Sequence, residues 1–138
     1  MTSTVSYQGN LRTLCTHIQS QSVIETDAPV DNQGKGERFS PTDLLATSLA
    51  ACMLTVMGIK ATSLQIALDG FDIEVVKVMA SEPRRVSEIK LTMNVPKALH
   101  QLDEKSKTIL KRTAETCPVF QSIHPSIQVA INWNEWTS

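Results

Sequence analysis

One long stretch without a charged side chain constrains the fold of this chain more than any other feature. Residues 44–57 contain no charged residue, no proline and no glycine. Just before them, Ser40 and Pro41 are typical of a helix N-cap and first helical position, and Asp43 completes a carboxylate variant of the capping box. One stripe recurs at helical spacing: Leu45, Leu49, Cys52 and Val56. Because the opposite face is also uncharged, the pattern predicts a buried helix, too short for a confident membrane span.

Length and charge narrow the class of protein. The chain has 138 residues, which predicts a single domain over residues 1–138. A net charge of −1 argues against a nucleic-acid-binding surface. The N-terminus lacks a basic segment followed by an apolar one, so we expect no signal peptide and a cytoplasmic location, without a membrane partner. Three cysteines in such a chain are structural thiols, metal ligands or redox residues rather than a disulfide framework.

Alternating segments on both sides of the central helix predict an α+β fold with antiparallel sheet. The expected elements are strands within 4–27, the central helix, a second helical piece over 59–68, a hairpin of strands 71–80 and 86–95, a helix over 102–116, a short helix over 118–123 and a strand over 127–133. One thin sheet cannot cover a helix that is apolar all round. We therefore expect a second copy of the chain to supply the other wall, in a homodimer.

The junction of the two later helices holds one cysteine. The helix over 102–116 turns Lys105, Lys107 and Lys111 largely outward, and its inner face continues from Ala114 to Cys117. Because a proline follows Cys117, the chain is expected to restart there with Cys117 as the N-cap of the short helix. A thiol in that position is stabilised as thiolate by the helix dipole.

Arg12 is the exceptional residue of the second predicted strand. It shares the inward face with Leu14 and Ile18, whereas Cys15 and His17 lie on the polar face, where we interpret them as incidental. An arginine on an apolar face lies either at the wet end of its strand or beside an anion. In the loop before the central helix, two further charged residues are candidates for a pocket: Glu37 and Arg38.

Cys52 and Cys117 are open to three interpretations. Buried structural thiols need no further partner. A metal site would need three or four ligands, and no Cys-x-x-Cys or His-x-x-x-His spacing supports one, so we predict no metal. A redox pair would use one thiolate to cleave a peroxide O–O bond and the other to form a disulfide. The attacking thiol would then need a nearby cation, for which Arg12 and Arg38 are the candidates.

Two motifs together carry a family resemblance. The stretch Ser40-Pro41-Thr42-Asp43-Leu44-Leu45 through Ala50-Ala51-Cys52, with the later Cys117-Pro118-Val119, resembles the OsmC/Ohr family of thiol-dependent hydroperoxide reductases, and more closely its OsmC-like branch. The similarity extends to the segments Gly9-Asn10-Leu11-Arg12 and Thr26-Asp27-Ala28-Pro29, the glycine-containing loop before the helix and the closing strand. It therefore spans nearly the whole chain.

The resemblance implies a fold and a chemistry. The fold would be an intertwined homodimer with antiparallel sheets around buried central helices and active sites at the subunit interface. Cys52 would be the peroxidatic cysteine, Cys117 the resolving one, and Arg12 the residue that activates the thiol and binds peroxide. The substrate would be an organic hydroperoxide and the reductant a dithiol, with no metal or organic cofactor.

The sequence departs from the family pattern at one position. The peroxidases carry a glutamate, paired with the arginine, directly after the helix-opening proline; here that residue is Thr42, and the acid follows one position later, at Asp43. One residue turns a helix by about 100°, so we interpret Asp43 as a capping residue. If Arg12 has no carboxylate to steer it, lower peroxidase efficiency is expected. The alternative is a dimeric small-molecule-binding or stress protein that keeps the fold without efficient catalysis.

Overall fold

The strands of the described chain form two three-stranded sheets, and helices follow or separate the strands in sequence, which is an α+β arrangement. The computed structural model describes residues 1–136. The chain divides into two compact units, Met1–Leu45 and Ala46–Ser138, and each carries one of the sheets. The single domain expected over residues 1–138 stays a prediction.

The N-terminal unit contains an antiparallel sheet of three strands in sequence order. Its strands are β1 (Ser3–Gly9), β2 (Arg12–His17) and β3 (Val23–Asp27). The chain turns between β1 and β2 through three successive residues with positive φ, 84° at Gly9, 55° at Asn10 and 63° at Leu11. After β3, a 3-10 turn (Val30–Asn32) and a polar loop lead to the first helix.

Helix α1 (Pro41–Ser63) begins as the sequence predicts. The Ser40 backbone N–H donates to Asp43 Oδ2 over 3.0 Å, and the Asp43 backbone N–H donates to Ser40 Oγ over 3.0 Å. This reciprocal pair satisfies two backbone donors at the helix start. The prediction of a separate helical piece over 59–68 is wrong, because α1 continues without interruption through Gly58. A glycine inside a helix costs only about 1 kcal/mol, which tertiary packing can outweigh.

Only one face of α1 is buried within the chain. The buried residues are Ala46, Leu49, Ala50, Met53, Met57 and Ala61. Cys52 and Val56 are half-buried, whereas Ile59 is 68% exposed. The face of α1 that is buried therefore differs by about one residue from the face predicted from the sequence. Burial of the whole helix stays a prediction that depends on a second copy. By length and composition α1 is also able to cross a membrane, a test that soluble core helices pass as well.

The sheet of the C-terminal unit combines both pairing directions. Strands β4 (Asp72–Ala80) and β5 (Arg85–Asn94) form the predicted antiparallel hairpin, whereas β6 (Gln128–Asn132) pairs parallel to β5. The prediction of purely antiparallel sheet is therefore wrong for this pair. Helices α2 (Glu104–Glu115) and α3 (Pro118–Ser122) lie between β5 and β6 in the chain. A connection of that length returns the chain to the same end of the sheet, as a parallel neighbour requires.

The core of the C-terminal unit includes a buried tryptophan near the end of the described chain. Trp136 lies in a 3-10 turn (Asn134–Trp136) and is completely buried. Its Nε1 donates to the carbonyl oxygen of Leu99 over 3.0 Å, and its ring centre lies 5.5 Å from that of Phe71. The Lys111 ammonium donates to the Trp136 carbonyl. The end of the described chain is therefore fixed by polar contacts as well as by packing.

Lys107 corrects the predicted orientation of α2. The sequence places it on the outer side, but the residue is only 8% exposed. It lies three residues before Leu110 and thus on the stripe that the buried Ala114 continues. The ammonium group reaches Glu104 Oε1 at 3.0 Å, while Glu104 is itself 65% exposed. The aliphatic stem is therefore buried and the charge is directed towards the surface.

Candidate functional site

Cys117 occupies the junction between α2 and α3, as predicted. It is the N-cap of α3, and its Sγ accepts a hydrogen bond from the Phe120 backbone N–H over 3.4 Å. Pro118 stands at the start of the helix, where its missing N–H costs nothing. The side chain is 1% exposed. A buried thiol is thus held in one direction by the local backbone.

Cys52 lies opposite Cys117, in the middle of α1. The Cys52 thiol lies near enough to the Cys117 thiol to raise its pKa. Cys52 is half-buried and Cys117 is buried, and neither forms a disulfide. The structure therefore brings together, in reduced form, the two cysteines that the sequence analysis singled out from separate helices.

The environment of Cys117 favours the protonated thiol. Burial raises the pKa of Cys117, the Phe120 N–H lowers it by a smaller amount, and the neighbouring Cys52 thiol raises it again. The helix N-terminus was expected to stabilise a thiolate here, and the backbone N–H groups of Phe120 and Val119 do lower the pKa of Cys117. The net shift is nevertheless upward, because removing the thiolate from water outweighs the donors of a five-residue helix.

Arg12 is paired with a buried carboxylate. Its Nε lies 2.7 Å from Asp27 Oδ1, and its Nη2 donates to Asp27 Oδ2 over 2.8 Å. Asp27 is 1% exposed and also accepts a hydrogen bond from the Glu37 backbone N–H over 3.1 Å. The Arg12 guanidinium holds the pKa of Asp27 below its usual range. Of the two alternatives for Arg12, the structure therefore selects the anion partner.

Three more charged side chains surround this pair at longer range. Arg12 Nη2 lies 3.4 Å from Glu37 Oε2, and Arg12 Nε lies 3.8 Å from Glu25 Oε2. Arg38 is directed towards Glu25 instead, with its Nε 3.6 Å from Glu25 Oε1. With Asp27 included, the cluster therefore contains three carboxylates and two arginines. Such a cluster orients Arg12 but also offsets its charge.

Asp27 is the residue that sequence reasoning missed. The segment Thr26-Asp27-Ala28-Pro29 contributes to the family resemblance, yet no partner was assigned to its carboxylate. A signal was present, because β2 and β3 are consecutive antiparallel strands, and Arg12 is directly opposite Asp27 in their register. Side chains opposite each other in such a pair lie on the same face and interact. A strand-pairing argument could therefore have found the ion pair.

Cys15 belongs to a different surface of the N-terminal unit. It lies on β2, and its Sγ is 3.9 Å from Thr13 Oγ1. It lines a shallow cavity of about 420 Å³ with Ser3, Thr16, His17, Ser20, Ser22 and Ile24. His17 Nδ1 is 2.6 Å from Ser20 Oγ. Across residues 1–136, no group of three or more His, Cys, Asp or Glu side chains could hold a metal ion.

The fold and the pair of cysteines indicate a class of protein, and comparison with known proteins identifies the family. The model of the family of OsmC-like proteins matches residues 34–132. The chain therefore belongs to the OsmC-like protein family. No curated protein matches it.

Solved structures resemble the chain over nearly its whole length. A Psychrobacter arcticus 273-4 protein, provisionally assigned to the osmotic stress and detoxification response, has 56% identity and a TM-score of 0.90, covering 96% of this chain and 94% of that one. An organic hydroperoxide resistance protein OsmC from Legionella pneumophila has 18% identity and a TM-score of 0.72, covering 96% of each chain. A third, from Elizabethkingia anophelis, with thiocyanate bound, has 16% identity and a TM-score of 0.71, covering 96% and 94%. At such low identity the last two establish the fold alone.

Proposed function

We propose that this protein is a thiol-dependent peroxidase that reduces organic hydroperoxides through Cys52 and Cys117. The proximity of the two thiols, in a family with neighbours named as hydroperoxide resistance proteins, supports the proposal. Structural thiols would need no such pairing. Two neighbouring thiols can be oxidised to a disulfide and reduced again.

The difference in burial assigns the two roles. Cys52 is more accessible, and its thiolate attacks one oxygen of the hydroperoxide, so that the O–O bond breaks and the alkoxide leaves as the alcohol after taking a proton. Cys52 is then a sulfenic acid. The Cys117 sulfur attacks the Cys52 sulfur, water leaves, and a disulfide forms. Two electrons from an external dithiol restore both thiols by exchange.

The surroundings of Cys52 favour an alkyl substrate. Leu45 and Val56 flank Cys52 at helical spacing and are not fully buried, whereas Leu49 is, so a peroxide approaching this face meets the first two apolar side chains. Each methylene that becomes buried against them contributes about 0.8 kcal/mol. This favours an organic hydroperoxide over hydrogen peroxide. In the proposal Arg12 is the cation that activates Cys52 and binds the peroxide, a role carried by the family resemblance.

A homodimer is part of the same proposal. Large apolar side chains are exposed in both units of the chain, including Val5 at 64%, Tyr7 at 67% and Ile59 at 68%. Exposed apolar patches are uncommon on monomeric proteins and mark interaction sites. A second copy would cover them and complete an active site at the subunit interface.

A non-enzymatic binding protein is the second candidate, and one observation favours it. Arg12 already pairs closely with Asp27 and lies near Glu37, which reduces its capacity to stabilise a thiolate. The deciding experiment measures consumption of tert-butyl hydroperoxide with dihydrolipoamide as the dithiol. Turnover that depends on both protein and dithiol supports the peroxidase, and its absence, with ligand binding retained, supports the binding protein.

A further inference from the structure

We infer that Asp27 is the positioning residue for Arg12. Its bidentate contact with Nε and Nη2 directs the Nη1 side of the guanidinium towards the peroxide or thiolate. The inference rests on the proposed function, in which Arg12 activates Cys52. No carboxylate that could steer Arg12 was expected on the central helix. Asp27 supplies one from β3 instead.

The geometry of the pair fixes the direction of the guanidinium. Asp27 engages Nε and Nη2, at 2.7 and 2.8 Å, so both of its oxygens act on one edge of a planar group. A bidentate contact of this kind sets position and orientation together. Within the N-terminal unit, no hydrogen bond engages Nη1. The two N–H groups on that nitrogen therefore have no partner within this unit.

Asp27 is itself rigidly placed, which a positioning residue needs. It closes β3 directly opposite Arg12, it is 1% exposed, and the Glu37 backbone N–H binds its Oδ2. The carboxylate cannot rotate without losing the backbone donor or the arginine. A buried carboxylate that lost Arg12 would carry an uncompensated charge, which disfavours separation of the pair.

The other acids nearby are poorly suited to the role. Glu37 Oε2 is 3.4 Å from Arg12 and Glu37 is 59% exposed, while Glu25 Oε2 is 3.8 Å away and 34% exposed. Contacts of such length between exposed groups contribute little. Asp43 is engaged in the cap of α1 with Ser40. Asp27 is thus the acid in this unit whose removal should change where Arg12 points.

The test compares Asp27→Asn, Asp27→Glu and Arg12→Ala with wild type in the dithiol-dependent peroxidase assay. Asp27→Asn keeps the shape but removes the charge, and we expect kcat/KM for tert-butyl hydroperoxide to fall by up to about 100-fold, as a misplaced catalytic group commonly causes. Asp27→Glu should recover part of the loss because a carboxylate is restored. The double variant Asp27→Asn/Arg12→Ala should be no slower than Arg12→Ala, since both changes act through one guanidinium.

A second readout separates positioning from folding. The rate of Cys52 alkylation by iodoacetamide at neutral pH should fall in both Asp27→Asn and Arg12→Ala, whereas a loss of folding would expose the thiol and raise that rate. Asp103→Asn is the control, because Asp103 caps α2 through the Ser106 N–H and its substitution lowers stability away from Arg12. It should not lower the alkylation rate.

The possible failures are distinguishable. If wild type does not turn over, or if Arg12→Ala matches wild type, the proposed function fails and the inference fails with it. If Arg12→Ala is impaired while Asp27→Asn is not, only the inference is overturned. A loss of activity in Asp27→Asn that follows its thermal stability, with an alkylation rate that does not fall, also overturns it.

Discussion

The Cys117 thiol, buried at the N-cap of α3, lies near enough to the Cys52 thiol of α1 for that thiol to raise its pKa. The pair joins two helices that are far apart in sequence and places a buried sulfur near a more accessible one. A resolving thiol needs both features: it must reach the attacking sulfur, and it must not be the first to react with peroxide. The first three predictions follow from this pair.

We predict that mild peroxide treatment joins Cys52 to Cys117 and leaves Cys15 free. A disulfide requires Cα atoms within about 7 Å, and Cys52 is near enough to Cys117 to raise its pKa. Peptide mapping without reductant identifies the linkage. Cys15→Ser is the matched control and should give the same disulfide. A linkage through Cys15, or three unmodified thiols, would contradict the prediction.

Single substitutions should separate attack from resolution. Cys52→Ser removes the nucleophile, and we expect it to abolish consumption of tert-butyl hydroperoxide. Cys117→Ser should permit one turnover and then stop at the Cys52 sulfenic acid, because the resolving sulfur is gone. Dimedone trapping followed by mass spectrometry detects that species. Wild-type activity in Cys52→Ser would show that the mechanism is wrong.

The pH dependence of stability should reveal the buried thiol of Cys117. Because burial raises the pKa of Cys117 in the folded state, the folded protein retains that proton more tightly than the unfolded chain does. The resulting stabilisation is fully present below the unfolded thiol pKa and is lost as pH rises through the folded one. Urea unfolding under reducing conditions should therefore show a smaller alkaline loss in Cys117→Ser than in wild type. Equal losses would contradict this assignment.

Trp136 should be one of the most important residues for stability. It is completely buried, contacts the Phe71 ring and donates to the Leu99 carbonyl. We expect Trp136→Ala to lower the free energy of unfolding by about 3–5 kcal/mol, as large core truncations do. Trp136→Phe keeps an aromatic ring and loses the hydrogen bond, so a clearly smaller loss is expected. Urea denaturation measures both, and equal losses would mean that the ring packing is not the main contribution.

The oligomeric state can be measured directly. We predict a homodimer, so light scattering after size exclusion should give twice the chain mass of 15.2 kDa at micromolar concentration. Ile59→Asp places a charge on the uncovered face of α1 and should lower the dimer fraction. A monomeric mass for wild type would remove the basis for a shared active site.

Local signals in the sequence were sufficient for most elements of secondary structure. Ser40 and Asp43 predict the start of α1 because a capping box satisfies its donors within a few residues. The alternation of Ile89, Leu91 and Met93 predicts β5 and its buried face, because side chains in a strand alternate between two faces. Cys117 as an N-cap follows from the proline after it. Each of these features depends on interactions between residues close in the chain.

Only the tertiary structure decided which distant residues meet. The parallel pairing of β6 with β5 depends on how α2 and α3 return the chain, and the burial of Lys107 depends on which face of α2 is covered. The sign of the Cys117 pKa shift depends on desolvation, which no local motif encodes. Arg12 was recognised as anomalous from its strand pattern alone. Its partner Asp27 became evident only from the register of β2 and β3, because an ion pair between strands is set by pairing and not by sequence spacing.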